Sequence, residues 1–82
     1  MEDRVSKGLK AYDQVRVTSI RGNRFVGQPV FYSRHPQVGD IAVIVDTHEA
    51  DYAHEVECSN PESGETIWLD TMFADELEPY ST

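Results

Sequence analysis

Short apolar runs broken by glycine and proline constrain this chain more than any other feature of its sequence. The longest apolar run is Ile41–Val45. Five residues that disfavour helices interrupt the segment between residues 20 and 39: Gly22, Gly27, Pro29, Pro36 and Gly39. Because glycine and proline are unfavourable in helix interiors, no long helix fits in this segment. The sequence therefore predicts short strands joined by loops.

Alternation of apolar and polar residues places several of these strands. Val15 and Val17 alternate with polar neighbours, which indicates a strand with one buried face. Asn60–Gly64 is typical of a hairpin loop with a strand on either side. The predicted strands are, in chain order, 13–19, 41–45 as the most buried, 54–58, 66–69 and 77–79. The predicted connections include a polar stretch over 46–52 and one short helical turn within 70–76.

These elements predict an all-β fold. The expected architecture is a small five-stranded antiparallel barrel with a long first loop and one short helical turn before the last strand. Residues 12–80 are expected to form this domain, and residues 1–11 a flexible N-terminal segment. Because 82 residues bury only a thin core, self-association would be a natural source of added stability.

The composition also indicates a cellular setting. Cys58 is the single cysteine, which excludes an internal disulfide and fits a reducing cytoplasm. No apolar run approaches the roughly 20 residues of a membrane helix. The first residues lack the apolar segment of a signal peptide. The expected location is therefore the cytoplasm, with no membrane partner.

Charge is strongly polarised along the chain. All seven lysines and arginines lie at or before Arg34, so residues 1–34 carry +4 and residues 35–82 carry −12, for a net charge of −8. This net charge disfavours general nucleic-acid binding, because phosphate contacts supply most of that affinity. The two halves are mutually complementary. We therefore expect neutralisation by strand pairing within one molecule, or a homo-oligomer.

The order of these motifs resembles that of a known family. The sequence of segments is Tyr12–Val17, Val38–Val45, His54–Cys58, Thr66–Leu69 and a closing Ala74–Pro79. It resembles small bacterial SH3-like barrel domains of unknown function, which carry a G-D-x-G-x-I-V second strand and end in A-D-x-L-x-P. It is more distantly similar to the SH3-like barrels of the nitrile hydratase beta subunit and of photosynthetic electron-transport accessory subunits.

The resemblance implies an SH3-like barrel with a docking or immunity-like accessory role. No catalytic residue carries over, since the metal site of nitrile hydratase belongs to that enzyme's other subunit. The chain departs from the family pattern in its long segment between the first two strands. It also has Ala42 where the family usually has glycine.

Candidate catalytic or metal-binding groups are weak. His48–Glu49 and His54–Glu55 look like metal-ligand pairs, but zinc motifs on helices need histidines one turn apart, and here the spacing is six. An acidic, solvated hairpin explains them better. Cys58 is best explained as a small buried hydrophobe, because a histidine four residues away along a strand lies about 13 Å distant. No catalytic group and no cofactor are predicted.

The favoured function is a non-enzymatic accessory module that binds a protein, either a second copy or a larger partner. Apolar anchors rimmed by arginines suit an interface hot spot. The first predicted group of binding residues lies in the basic, aromatic first loop: Arg21, Arg24, Phe25, Val30, Phe31, Tyr32 and Arg34. The second is an acidic group expected to face a basic surface: Asp46, Glu49, Asp51, Glu55 and Glu57.

Other functions stay open at this stage. A metal-binding or enzyme-subunit domain would use His48 and His54 with nearby carboxylates. Nucleic-acid binding would use the arginines and aromatics of residues 21–35 to contact phosphates and stack bases. A groove lined by aromatics and binding a peptide is a further option for an SH3-like domain, although Trp68 is equally suited to the core.

Overall fold

The computed structural model describes residues 8–48 and 52–81. Five antiparallel strands form one sheet: β1 Gln14–Val17, β2 Ile41–His48, β3 Ala53–Ser59, β4 Thr66–Phe73 and β5 Leu77–Pro79. A 3-10 turn, Ala74–Glu76, connects β4 to β5. The predicted all-β class, the five strands, the long first loop and the short helical turn before the last strand are confirmed. In the described part of the chain, no helix has the length and apolar character needed to cross a membrane.

The strand order is β4-β3-β2-β1-β5, so β1 lies between β2 and β5. The register places Arg16 of β1 opposite Glu78 of β5, and the two side chains form an ion pair. The basic first strand therefore lies beside the acidic last strand. Part of the charge polarity along the sequence is neutralised within one molecule.

The core lies on one face of the sheet. Val15 and Val17 are both buried, as their alternation predicts. Trp68 is the largest fully buried side chain and is 1% exposed. The buried apolar cluster consists of Leu9, Val15, Val17, Ala42, Ile44, Val56, Cys58, Trp68, Met72 and Leu77. Leu9 belongs to it, and the predicted domain boundary at residue 12 stays a prediction.

β2 is longer and less buried than its apolar sequence predicts. Ala42 and Ile44 face the core, whereas Val45 is 36% exposed. The reason is that the antiparallel sheet is buried mainly on one face, so only alternate residues reach the core. A register shift between Ile44 and Asp46 then carries the strand on to His48, into the predicted polar connection.

β4 also extends beyond its predicted end. The segment 70–73 is strand, and only Ala74–Glu76 forms the helical turn that the sequence analysis placed within 70–76. Pairing explains the difference, because Asp70 lies opposite Val56 and Phe73 opposite Ala53 in a continuous ladder with β3. The ladder overrides the low strand preference of the aspartate.

The first loop, residues 18–40, joins β1 to β2. Between these strands it extends to β4, at the far edge of the sheet. At the start of the loop, the Thr18 N–H donates to the Glu76 carbonyl over 2.8 Å. At its far side, the Ser33 N–H donates to the Ile67 carbonyl of β4 over 3.0 Å. Gly39 ends the loop with a φ of +99°, a conformation that favours glycine. The first loop thus contacts the 3-10 turn at one end and the edge strand β4 at the other.

Candidate functional site

Two arginines fasten the beginning of the first loop to the 3-10 turn. Arg21 forms a two-pronged contact with Asp75, with Nε–Oδ1 and Nη2–Oδ2 distances of 3.2 and 2.9 Å. Arg24 forms an ion pair with Glu76 and also donates from Nη1 to the Thr71 carbonyl over 3.2 Å. Both guanidinium groups are therefore occupied by carboxylates of their own chain.

Glu76 is a fully buried carboxylate whose oxygens are all engaged. Beyond Arg24, its Oε2 accepts from the Arg21 backbone N–H over 2.6 Å, and its Oε1 accepts from the Phe73 backbone N–H over 2.9 Å. A buried charge needs such a partner and such hydrogen bonds to be tolerated. Glu76 thereby fixes where the loop leaves β1.

The aromatic ring of Phe73 lies under the same arginines. The guanidinium carbon of Arg21 is 4.0 Å from the ring centroid, and that of Arg24 is 5.3 Å away. Arg24 also lies 4.4 Å from the ring centroid of Phe25, within cation–π range. The Phe25 ring in turn stacks on His35 with a centroid distance of 5.3 Å, so the two halves of the loop are in contact.

Arg34, Asp40 and Trp68 fix the end of the loop. Arg34 binds Asp40 through both terminal nitrogens, each at 2.9 Å. Burial by itself would raise the pKa of Asp40, but the hydrogen bonds from Arg34, the Gln37 N–H and Trp68 outweigh it, so that pKa lies below its ordinary value. The same pair raises the pKa of Arg34. Both groups are held in their charged forms.

An open cleft of about 450 Å³ lies between the first loop and β4. This volume is within the range of about 300–1,000 Å³ that is usual for ligand sites. Its lining residues are Arg24, Phe25, Gln28, Pro29, Phe31, Tyr32, Arg34, His35, Trp68, Leu69 and Asp70. The structure thus brings five of the predicted loop residues to one cleft. Arg21 and Val30 are not among its lining residues.

Large apolar side chains on the loop remain in solvent. Phe31 is 82% exposed, and Val26, Val30 and Tyr32 are also exposed. We call these four residues the loop patch. Several large apolar side chains exposed within one short segment are typical of interaction surfaces. Arg21, Arg24 and Arg34 hold the loop in place through their ion pairs, so they do not form an unpaired basic rim around the patch.

Asp70 is a cleft residue that was not among the predicted site residues. It occupies an inward-facing position of β4, between Trp68 and Met72 and opposite Val56. Burial raises its pKa, and nearby His35 and Arg24 lower it only in part. No described residue makes a hydrogen bond or an ion pair with its side chain. The available signal was the two-residue period, which places this acid on the core face of the strand.

The predicted acidic group lies elsewhere. Asp46 and Glu55 are directly opposite each other on β2 and β3, and Glu57 follows on the same face. Glu55 accepts from the Thr71 hydroxyl over 2.8 Å and contacts His48 Nε2 at 3.2 Å. Glu49 and Asp51, the other two members, lie outside the described residues.

His48 and His54 lie on different faces of the sheet. His48 is opposite Ala53, and His54 is the next residue along β3, with its side chain in the core. His54 is 4% exposed, and neither of its ring nitrogens has a hydrogen-bond partner among the described residues. Within residues 8–48 and 52–81, no group of three or more His, Cys, Asp or Glu side chains has a metal-binding arrangement.

Cys58 is a buried free thiol on the core face of β3. Burial raises its pKa, and the Asp40 charge raises it further against an opposing effect of Arg34. A thiol with a raised pKa is a poor nucleophile. This environment agrees with the interpretation of Cys58 as a core residue.

Known proteins give no guide to this site. No protein-family model matches the chain, and neither the curated proteins nor the solved structures give a significant match.

Proposed function

We propose that this chain is a non-enzymatic accessory module of the SH3-like type that binds a protein through the loop patch. The strand order β4-β3-β2-β1-β5, with a 3-10 turn before the last strand, supports the SH3-like assignment. The buried free thiol of Cys58 supports a reducing location such as the cytoplasm. The partner is either a second copy of the chain or a larger protein.

The observation that carries the proposal is an exposed apolar surface on a fastened loop. Phe31 is 82% exposed, while the loop around it is held to the body through Arg24 and Arg34. A surface already fixed in place loses less conformational entropy on binding. A few residues carry most of the binding energy of typical protein interfaces, and aromatic residues are enriched at the centre of such interfaces.

The arginines favour a protein partner over a nucleic acid. All five lysines and arginines in the described ranges form ion pairs with carboxylates of the same molecule: Lys10, Arg16, Arg21, Arg24 and Arg34. A phosphate would have to compete with these pairs, and the net charge of −8 would oppose its approach.

Site-specific photo-crosslinking in cells tests the proposal. A photoreactive residue replaces Phe31 in one variant and Glu62 of the exposed β3–β4 hairpin loop in the control. We expect protein adducts, with a second copy or with another protein, at position 31 and not at position 62. Adding Tyr32→Ser to the position-31 variant should weaken them. Equal labelling at the two positions would refute a binding role for the loop patch.

Light scattering after size exclusion separates the two kinds of partner. If the partner is a second copy, the mass should exceed 9.3 kDa at micromolar concentration and should fall in the Phe31→Ser variant. Tyr12→Ser is the matched control, because Tyr12 is also an exposed aromatic residue but lies outside the first loop. A monomer at both low and high salt assigns the surface to another protein.

A further inference from the structure

The first loop covers the edge of β4 at two places and leaves a gap between them. The N–H groups of Ser33 and Arg34 donate to the Ile67 carbonyl over 3.0 and 3.3 Å. Two strand periods further along β4, the Thr71 carbonyl accepts a hydrogen bond from Arg24 Nη1 over 3.2 Å. Both carbonyls therefore point away from the sheet, toward the loop.

Leu69 lies midway between these two covered positions. Because backbone groups of a strand alternate in direction with a period of two, the N–H and C=O of Leu69 point outward like those carbonyls. No described residue hydrogen-bonds to either group. Leu69 lines the cleft, so the gap in the loop's coverage coincides with the cleft. An uncovered strand edge is a ready template for another strand.

The charged side chains of the cleft indicate which kind of peptide the edge of β4 would bind. Two of the three unambiguous charges in the cleft are already compensated, since Arg24 is paired with Glu76 and Arg34 with Asp40. The carboxylate of Asp70 is the third, and no described side chain is paired with it. Burial already disfavours its ionised form, so a cation placed beside it would relieve that cost.

We propose that an extended segment of a protein partner adds to the edge of β4 at Leu69 and places a lysine or arginine side chain against Asp70. This inference rests on the proposed protein-binding function and names the form of the partner. It is β-strand addition, in which main-chain hydrogen bonds bind the peptide and side-chain pockets select it.

The geometry of a strand pair gives the spacing of the recognised residues. In an antiparallel pair, one partner residue exchanges two hydrogen bonds with Leu69. The residues on either side of it point to the opposite face, the face that carries Asp70, so one of these two is the basic residue. Phe31 and Tyr32 line the same cleft and supply apolar contact. The minimal recognised unit is therefore a three-residue extended segment with a basic residue next to its centre.

Synthetic peptides provide the probe. The first is acetyl-Thr-Lys-Val-Lys-Thr-amide, in which a lysine flanks the central valine on both sides, so that both positions that point to the face of Asp70 are basic. The second replaces both lysines with glutamine. The third carries an N-methyl group on the valine and so lacks the N–H that would donate to Leu69. Binding to the ¹⁵N-labelled protein and the exchange rate of the Leu69 amide are measured by NMR.

We expect the lysine peptide to bind with a Kd on the order of 1 mM and to slow exchange of the Leu69 amide. The N-methyl peptide should lose that protection, and the glutamine peptide should bind about fivefold more weakly. Asp70→Asn should remove the difference between the lysine and glutamine peptides. Glu62→Gln makes the same change of charge outside the cleft and should preserve it.

Three results would overturn the inference. The first is unchanged exchange of the Leu69 amide at about 10 mM lysine peptide. The second is equal affinity of the lysine and glutamine peptides for the unmodified protein. The third is protection of Leu69 on concentrating the protein alone, which would assign the edge to a second copy. Crosslinking at position 31 remains independent of all three, so failure here is distinguishable from failure of the proposed function.

Discussion

The indole N–H of Trp68 donates to Oδ2 of Asp40 over 2.7 Å, and this bond joins the buried face of β4 to the end of the first loop. The same oxygen accepts from the Gln37 N–H over 2.9 Å, and Arg34 contacts both carboxylate oxygens. A single carboxylate therefore connects the core, the turn into β2 and one wall of the cleft.

Replacing Asp40 should destabilise the fold. Asp40→Ala leaves the indole N–H of Trp68 without its acceptor and Arg34 without its counter-ion, and we expect a loss of about 2–4 kcal/mol in the free energy of unfolding. Urea denaturation followed by the fluorescence of the single tryptophan measures it. Glu62→Ala, at an exposed hairpin position, should change that free energy by less than about 0.5 kcal/mol. Similar values for the two variants would contradict a structural role for Asp40.

Breaking the buried pair of Arg24 and Glu76 should cost more than breaking an exposed pair. Arg24→Met leaves Glu76 charged and buried, with an expected loss of about 3–5 kcal/mol. Adding Glu76→Gln should recover much of it, because glutamine is neutral and keeps an oxygen that accepts hydrogen bonds.

The matched control for the Arg24 and Glu76 variants is Arg16→Met, which removes the partly exposed pair with Glu78. Its expected cost is below about 1 kcal/mol, because exposed ion pairs contribute little. Thermal unfolding monitored by circular dichroism compares the variants. Additive effects of Arg24→Met and Glu76→Gln would contradict the coupling of the two residues.

His54 should make the fold sensitive to mild acid. Burial, and secondarily the charge of His48, lower the pKa of His54 below its ordinary value. The unfolded chain therefore binds a proton near pH 6.5 while the folded chain does not. The stability contribution is complete above about pH 6.5 and declines as the pH falls from there toward the lower pKa of the folded state.

His54→Leu should reduce the loss of unfolding free energy as the pH falls below about 6.5. The measurement is the urea midpoint at several pH values between neutrality and about pH 5, where the ordinary histidine titrates. His48→Gln, which changes an exposed histidine, should leave the decline in place. An unchanged slope in His54→Leu would show that another group is responsible.

Asp70→Asn should stabilise the folded protein at neutral pH. Burial raises the pKa of Asp70, which means that the ionised form is disfavoured by the fold. Asparagine has the same shape and no charge, so we expect a rise in Tm of a few degrees. Differential scanning calorimetry measures it, with Asp75→Asn, which removes the counter-ion of exposed Arg21, as a control expected to give no rise. A lower Tm for Asp70→Asn would contradict the burial cost assigned to this carboxylate.

Local sequence signals predicted those parts of the fold that depend on near neighbours. Alternation at Val15 and Val17 identified β1 and its buried face. The turn residues of Asn60–Gly64 identified the β3–β4 hairpin. In both cases the side chains themselves determine the local conformation, through burial of one face or through turn preference.

Local sequence signals did not predict those features of the fold that depend on residues far away in the chain. The end of β2 is polar and β4 continues through Asp70 and Thr71, and the ladders with β3 hold both segments as strands. The roles of Arg21 and Arg24 could not be predicted, because their carboxylate partners lie 54 and 52 positions away. The aromatic and basic content of the loop did indicate where the cleft lies, although it gave no sign that the arginines fasten the loop.

Those long separations have a consequence for the order of events during synthesis. The contacts that fasten the beginning of the first loop involve Asp75 and Glu76, close to the end of the sequence. Contacts between distant positions form late, because the intervening chain must first be ordered. A chain still emerging from the ribosome therefore carries the apolar residues of the loop and the local pair of Arg34 and Asp40, but not the carboxylates that anchor the beginning of the loop. The cleft is complete only after these carboxylates have been synthesised.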